Sequence, residues 1–159
     1  MDNVNVLRTG FFALDFSLPD TEGNIYHLEE NLSGSFTCLC FFTDGENDRI
    51  NTFLKDLAQG LPQTRSGLPV KIIGICPERS SHLKALKEKL KLNFALLSDQ
   101  KLDIAGKYLV INSSLPKPSV YFSVFIVDDM GVIRHRSSEV SGFSKYVPEG
   151  LRAEISKLI

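Results

Sequence analysis

Apolar positions along the chain alternate between a period of two, continuous runs and a period near 3.6. Leu14-Asp15-Phe16-Ser17-Leu18 alternates, Pro19-Asp20-Thr21-Glu22-Gly23-Asn24 is dense in turn formers, and Ile25-Tyr26-His27-Leu28 alternates again. That pattern reads as short strands in an N-terminal extension over residues 10–35. Phe36 to Phe42 is apolar except at Thr37, the mark of a strand covered on both faces. Ile50, Phe53, Leu54, Leu57 and Ala58 then recur at helical spacing, with Asp44 or Asn47 as the expected cap and Gly60-Leu61-Pro62 as the stop. Leu61 to Pro69, rich in Pro, Ser and Gly, reads as the most mobile connection.

A second buried strand is expected at Val70 to Cys76, ended by Pro77. Ser80 or Ser81 is placed to cap a helix whose inner face is Leu83, Leu86 and Leu90. Phe94 to Leu97 forms a short apolar segment, and Asp99 is placed to cap a helix with Leu102, Ala105, Tyr108 and Leu109 inward. Tyr121 to Val127, the turn Asp128 to Gly131, and Val132 to Arg136 read as an antiparallel hairpin. A last helix starting at Pro148 would bury Leu151, Ile155, Leu158 and Ile159. The order is that of an α/β fold with a central mixed sheet flanked by helices, one domain over residues 1–159.

Composition narrows the function classes. The 159 residues are 43 % apolar and 23 % charged, as expected of a globular chain able to bury a full core. A formal net charge of -1 gives no global attraction to nucleic acid or to an anionic membrane. Arg134-His135-Arg136 and Lys84 to Lys91 are the basic clusters; both read as solvated faces, with His135 exposed. Neither a secretory signal nor an apolar stretch long enough to span a bilayer is apparent. Of the three cysteines, Cys38 and Cys40 share one strand at i and i+2, a poor disulfide pair, so reduced thiols and a cytoplasmic location are expected. His27, His82 and His135 have no metal-ligand spacing, and no cofactor is implied. Asn112-Ser113-Ser114 lacks the G-x-S-x-G of a nucleophile elbow and reads as a loop.

Several strings in this order resemble the peroxiredoxins of the alkyl hydroperoxide reductase and thiol-specific antioxidant family, particularly the bacterioferritin-comigratory type. Ala13-Leu14-Asp15-Phe16-Ser17-Leu18-Pro19-Asp20-Thr21-Glu22-Gly23 is similar to that family's APDF-x-LPD-x-x-G opening, with Leu14 where proline is usual. Ile72-Ile73-Gly74-Ile75-Cys76-Pro77 resembles its V-x-G-[IV]-S-x strand end, and Leu92 to Asp99 its L-x-F-x-L-L-S-D string. Ser123 to Asp128 with Gly131 to Arg134 resembles its T-F-[VI]-I-D-x-x-G-x-I-R hairpin. The resemblance implies a thioredoxin-like fold with an N-terminal β extension, and a redox site at the turn after the Phe36–Phe42 strand.

It also implies three requirements at one place, two of which fail outright here. The family places a cysteine thiolate in the first helical turn, where free amides and the helix dipole lower its pKa. A Thr or Ser in P-x-x-x-[TS]-x-x-C orients the peroxide, and an arginine before the hairpin strand stabilises developing charge. Here Thr43-Asp44-Gly45-Glu46-Asn47-Asp48-Arg49 occupies the loop, with no proline, and no cysteine lies between Phe41 and Ile75. The family's arginine falls on Phe122. The W-C-x-x-C of thioredoxin fails likewise, since Glu46 and Arg49 stand where its cysteines belong. Asp44, Glu46 and Asp48 would cap the helix themselves and raise the pKa of any neighbouring thiol.

Thr43, Asp44, Glu46, Asp48, Arg49 and Phe122 therefore read as a vestigial active-site turn. The expected function is that of a binding or interaction module without peroxidase chemistry, engaging an unidentified protein or small molecule. The alternative is a thiol oxidoreductase using Cys76, at the carboxyl edge of the second buried strand, or Cys40. A third reading is a homodimer whose function lies in an assembled complex, since members of the resembled superfamily often pair near this turn.

Overall fold

The structure, a computed structural model, describes residues 8–43, 48–113, 119–138 and 148–159. Its elements in order are β1 (Ser17–Pro19), β2 (Ile25–His27), β3 (Phe36–Phe41), α1 (Asp48–Leu57), β4 (Val70–Cys76), α2 (Ser80–Leu90), β5 (Ala95–Ser98), α3 (Asp103–Lys107), β6 (Ile111–Asn112), β7 (Ser119–Val120), β8 (Ser123–Val127), β9 (Ile133–Ser138) and α4 (Pro148–Lys157). Five strands form one mixed sheet in the order β5-β4-β3-β8-β9. Strands β3, β4 and β5 run parallel, and β8 is antiparallel to both β3 and β9. The α/β class and the N-terminal β extension follow as expected, the latter as the β1–β2 ribbon with Leu18 opposite Tyr26.

Every residue of β3 is buried, because the strand lies mid-sheet with a layer on each face. Cys38, Cys40, Cys76, Leu96, Val124 and Ile126 look toward α1, α2 and α4. Leu39, Phe41, Ile73, Leu97, Phe125 and Val127 look the other way, toward the β1–β2 ribbon and α3. The second face is aromatic: Tyr108 meets Phe16, Phe41 and Phe125 at ring-centroid distances of 6.1, 5.2 and 5.4 Å. Each fully buried Phe or Leu contributes about 1.5–3 kcal/mol relative to exposure, so these two layers hold the sheet together.

Helix α1 buries Ile50, Phe53, Leu54 and Leu57, the stripe its spacing predicts. The chain leaves it at Gly60, whose φ of +97° is open to glycine at little cost. Arg152 of α4 clamps the same end, donating to the Asp56 carboxylate, to the Asp56 carbonyl at 3.0 Å and to the Gly60 carbonyl at 3.1 Å. Residues 61–69 form a connection tied by its own hydrogen bonds. Buried Thr64 takes the Leu68 amide on its hydroxyl at 3.2 Å, and the Arg65 amide donates to the Leu158 carbonyl at 2.6 Å.

Several expectations need correction. Helix α2 begins at Ser80 after Arg79, with no side-chain cap, so neither serine caps it. Asp99 does receive the Ile104 and Ala105 amides, at 3.2 and 2.9 Å, but α3 starts only at Asp103 and lasts five residues. Leu109 has a φ of +60° and is 41 % exposed, because the chain turns left-handed there after α3 has ended. Ile159, beyond the last turn of α4, is exposed as well. The hairpin strand begins at Ser123; just before it, β7 pairs with β6 in a two-residue ladder, Ile111 with Val120 and Asn112 with Ser119. His135 is half-buried, not exposed. The expected caps Asp44 and Asn47 and the loop residues Ser114 to Pro118 lie outside the described residues.

Candidate functional site

The turn after β3 is built from four elements. Phe42 continues the strand, its amide donating to the Ile75 carbonyl at 3.1 Å. Its ring covers Gly74 of β4 so closely that a Cβ on Gly74 would lie 3.2 Å from Phe42 Cε1 and 2.6 Å from Leu96 Cδ2. Glycine is thus required there by close approach, not by backbone conformation. Thr43 follows, half-buried, and its hydroxyl is used twice by one residue. It donates to the Val120 carbonyl at 3.0 Å and accepts the Val120 amide at 2.9 Å, fastening the end of β3 to β7.

Two residues past Val120 lies Phe122, 2 % exposed. Its ring meets Phe53 of α1 edge-on, with centroids 5.0 Å apart and planes at 75°. Such aromatic pairs add about 0.5–1.5 kcal/mol beyond their burial. Above Phe122 lies Arg49, second residue of α1, its guanidinium carbon 5.9 Å from the ring centroid. Asp48 beside it is exposed at the helix start. Asp44 and Glu46 lie outside the described residues. Arg49 and Phe122 are therefore in contact, and Thr43 is tied to Val120, two residues before Phe122. The contact that organises them, Phe53 on Phe122, was not foreseen, although Phe53 was legible as an inward helical position.

The candidate thiols belong to the layer beneath. Cys76 closes β4 and is 1 % exposed; its carbonyl accepts the Asp99 amide at 3.0 Å. Cys40 pairs with Gly74 in the ladder and is fully buried, as is Cys38. Burial pushes the Cys38 thiol up to about 12. Cys40 is raised well above the ordinary range, first by burial and then by the neighbouring sulfurs of Cys38 and Cys76. A nucleophilic cysteine needs the opposite surroundings, partly exposed and electropositive. Asp99 is also raised by burial, against which the amides of Ala105 and Ile104 pull it down. Among the described residues, the turn offers a guanidinium over an apolar ring, and a threonine hydroxyl committed to the backbone.

Residues 9–136 match the AhpC/TSA family. The chain belongs to that family. This AhpC/TSA member is 25 % identical to peroxiredoxin Bcp of Escherichia coli K12 over 136 residues, covering 83 % of this chain and 86 % of Bcp. Among solved structures it is similar to peroxidoxin BcpB from Mycobacterium tuberculosis, with a TM-score of 0.78, 21 % identity and coverage of 94 % and 96 % of the two chains. It is similar also to a PrxQ variant from Xylella fastidiosa, with a TM-score of 0.77, 13 % identity and coverage of 93 % of each chain. The thioredoxin-like fold inferred for this AhpC/TSA chain agrees with both likenesses. No helix among the described residues is long and apolar enough to cross a membrane.

Proposed function

We propose that this AhpC/TSA-family protein is a cytoplasmic binding module that does not carry out cysteine peroxidase chemistry. The observation that carries the reading is Phe122. In the position that the resemblance assigns to a charge-stabilising arginine, a buried phenyl ring packs on Phe53 beneath Arg49. The loss of that arginine accompanies the lack of any cysteine between Phe41 and Ile75, and the use of Thr43 as a backbone tie. A peroxidase needs thiolate, orienting hydroxyl and cation together, because each alone leaves the transition-state charge unstabilised. What the turn retains is a surface of Arg49 and Asp48 over a rigid aromatic base, suited to contact with a protein or small molecule.

The alternative, a thiol oxidoreductase using Cys76 or Cys40, has burial against it at both residues. The test is turnover. With hydrogen peroxide and a dithiol reductant, the purified protein is expected to consume peroxide no faster than reductant alone. Consumption at rates typical of peroxiredoxins would sink the proposal, and its loss on Cys76→Ser would establish the alternative.

A further inference from the structure

Strand β9 carries a polar constellation on the face packed by α4, and a bulge puts it there. Ile126 pairs with His135 while Val127 pairs with Ile133, so Arg134 is an extra residue in the ladder. Ile133 belongs to the aromatic face of the sheet. Regular alternation would send His135 to that same face. The extra residue reverses the parity, as bulges do. Arg136 accordingly lies over Phe125 on the aromatic face, its guanidinium carbon 5.7 Å from the ring centroid. His135 and Ser137 are left on the other face, where Leu151 and Ile155 of α4 pack into the core with Val124 and Ile126.

There His135 Nε2 lies 2.9 Å from Ser137 Oγ, and His135 Nδ1 lies 4.0 Å from Glu154 Oε1 of α4. The opposite oxygen of Glu154 is held by Lys157 at 3.4 Å. The imidazole side chain is 19 % exposed, so it is largely desolvated, and Ser137 is half-buried. Hydroxyl and imidazole are within hydrogen-bond reach, as a nucleophile and its base must be, and the Glu154 carboxylate faces the other ring nitrogen from beyond hydrogen-bond distance. The arrangement shares no residue with the β3–α1 turn.

We infer that Ser137, His135 and Glu154 form an acyl-transfer site for small activated carboxylic esters. With Nδ1–H turned to Glu154, Nε2 accepts the Ser137 hydroxyl proton as Oγ bonds to the acyl carbon. The ester C–O bond breaks, and the departing alkoxide takes that proton from Nε2. Water then adds to the acyl-serine, giving up a proton through the same nitrogen; the carboxylic acid leaves and Ser137 regains its O–H. Burial lowers the His135 pKa from its ordinary value, which favours the neutral imidazole that can accept a proton, and the Glu154 carboxylate opposes this shift. Glu154 acts as a positioning residue: at 4.0 Å its carboxylate attracts the imidazolium as that forms.

The test uses the full chain and p-nitrophenyl acetate. A burst of nitrophenol is expected, with an acetyl group found on Ser137 by peptide mass after acid quenching. Ser137→Ala abolishes the adduct, and His135→Gln slows its formation about a hundredfold. The rate should rise with pH through an inflection below 6.5, and Glu154→Gln should move that inflection lower with the fold intact by circular dichroism. If the native chain acquires no acetyl group on Ser137, or His135→Gln acquires it as fast as the native chain, the inference is overturned. The first of these outcomes does not depend on any variant folding.

Discussion

At the β3–α1 turn a buried phenyl ring, Phe122, stands where the resemblance calls for an arginine; two strands away on β9, an imidazole, a hydroxyl and a carboxylate meet on the same face of the sheet. Both regions lie against the helical layer formed by α1, α2 and α4. At the turn, the regular ladder from Ser123 onward points Phe122 at Phe53, and the space is filled with carbon. On β9, one extra residue turns polar side chains toward α4. On the function proposed here, the position of the family's arginine is closed by packing, since an apolar ring there costs nothing in desolvation. A polar group half-buried on the same face persists only with partners, and His135 has them.

The sharpest way to break this comparison is to return the charge. Phe122→Arg would put a guanidinium in place of a ring that is 2 % exposed and packed on Phe53, and should lose about 3–5 kcal/mol in urea unfolding. A variant as stable as the parent would mean that the turn still accommodates the cation, and that packing has not closed it. Gly74→Ala probes the layer beneath. The new methyl would meet Leu96 Cδ2 and the Phe42 ring, so a loss of about 1–3 kcal/mol is expected in the same assay.

Arg152→Ala tests the clamp that joins the two regions, since α4 carries Glu154 and Arg152 grips the end of α1. Its expected cost is about 1 kcal/mol, the net value of a few partly exposed hydrogen bonds. The smallest effect concerns His135. Its folded pKa lies below the ordinary 6.5, so between those values the unfolded chain binds more protons. The stability contributed by the neutral ring is therefore present above pH 6.5 and is lost as pH falls through the folded pKa. Chemical denaturation from pH 8 to pH 5 should show this decline, and His135→Gln should flatten it.

The contrast also explains what could be read from the chain. Strands β3 and β8 are visible because burial on both faces leaves long apolar runs, β4 because it is buried from Ile73 to Cys76, and α1 because its stripe is unbroken from Ile50 to Leu57. Strands β6 and β7 are not, since two residues have no period to display. The pairing of Phe122 with the family's arginine was a matter of alignment and could be made from sequence. The stacking of Arg49 and Phe53 on that ring depends on how α1 lies against the residues just before β8, which no local pattern records. His135 was misread for a related reason. Between two arginines it reads as exposed, but a bulge at Arg134 and a helix nineteen residues later decide its surroundings (Glu154 follows His135 by that interval).

The claim that the thiols of this chain take no part in peroxide chemistry is tested most directly by mass. The native protein is treated with hydrogen peroxide in the presence of dimedone, which traps sulfenic acid, and its intact mass and cysteine peptides are measured. Cys38, Cys40 and Cys76 are expected to remain unmodified until the protein is unfolded, when all three become reactive. A dimedone adduct on Cys76 or Cys40 of the folded chain at low peroxide would contradict the account.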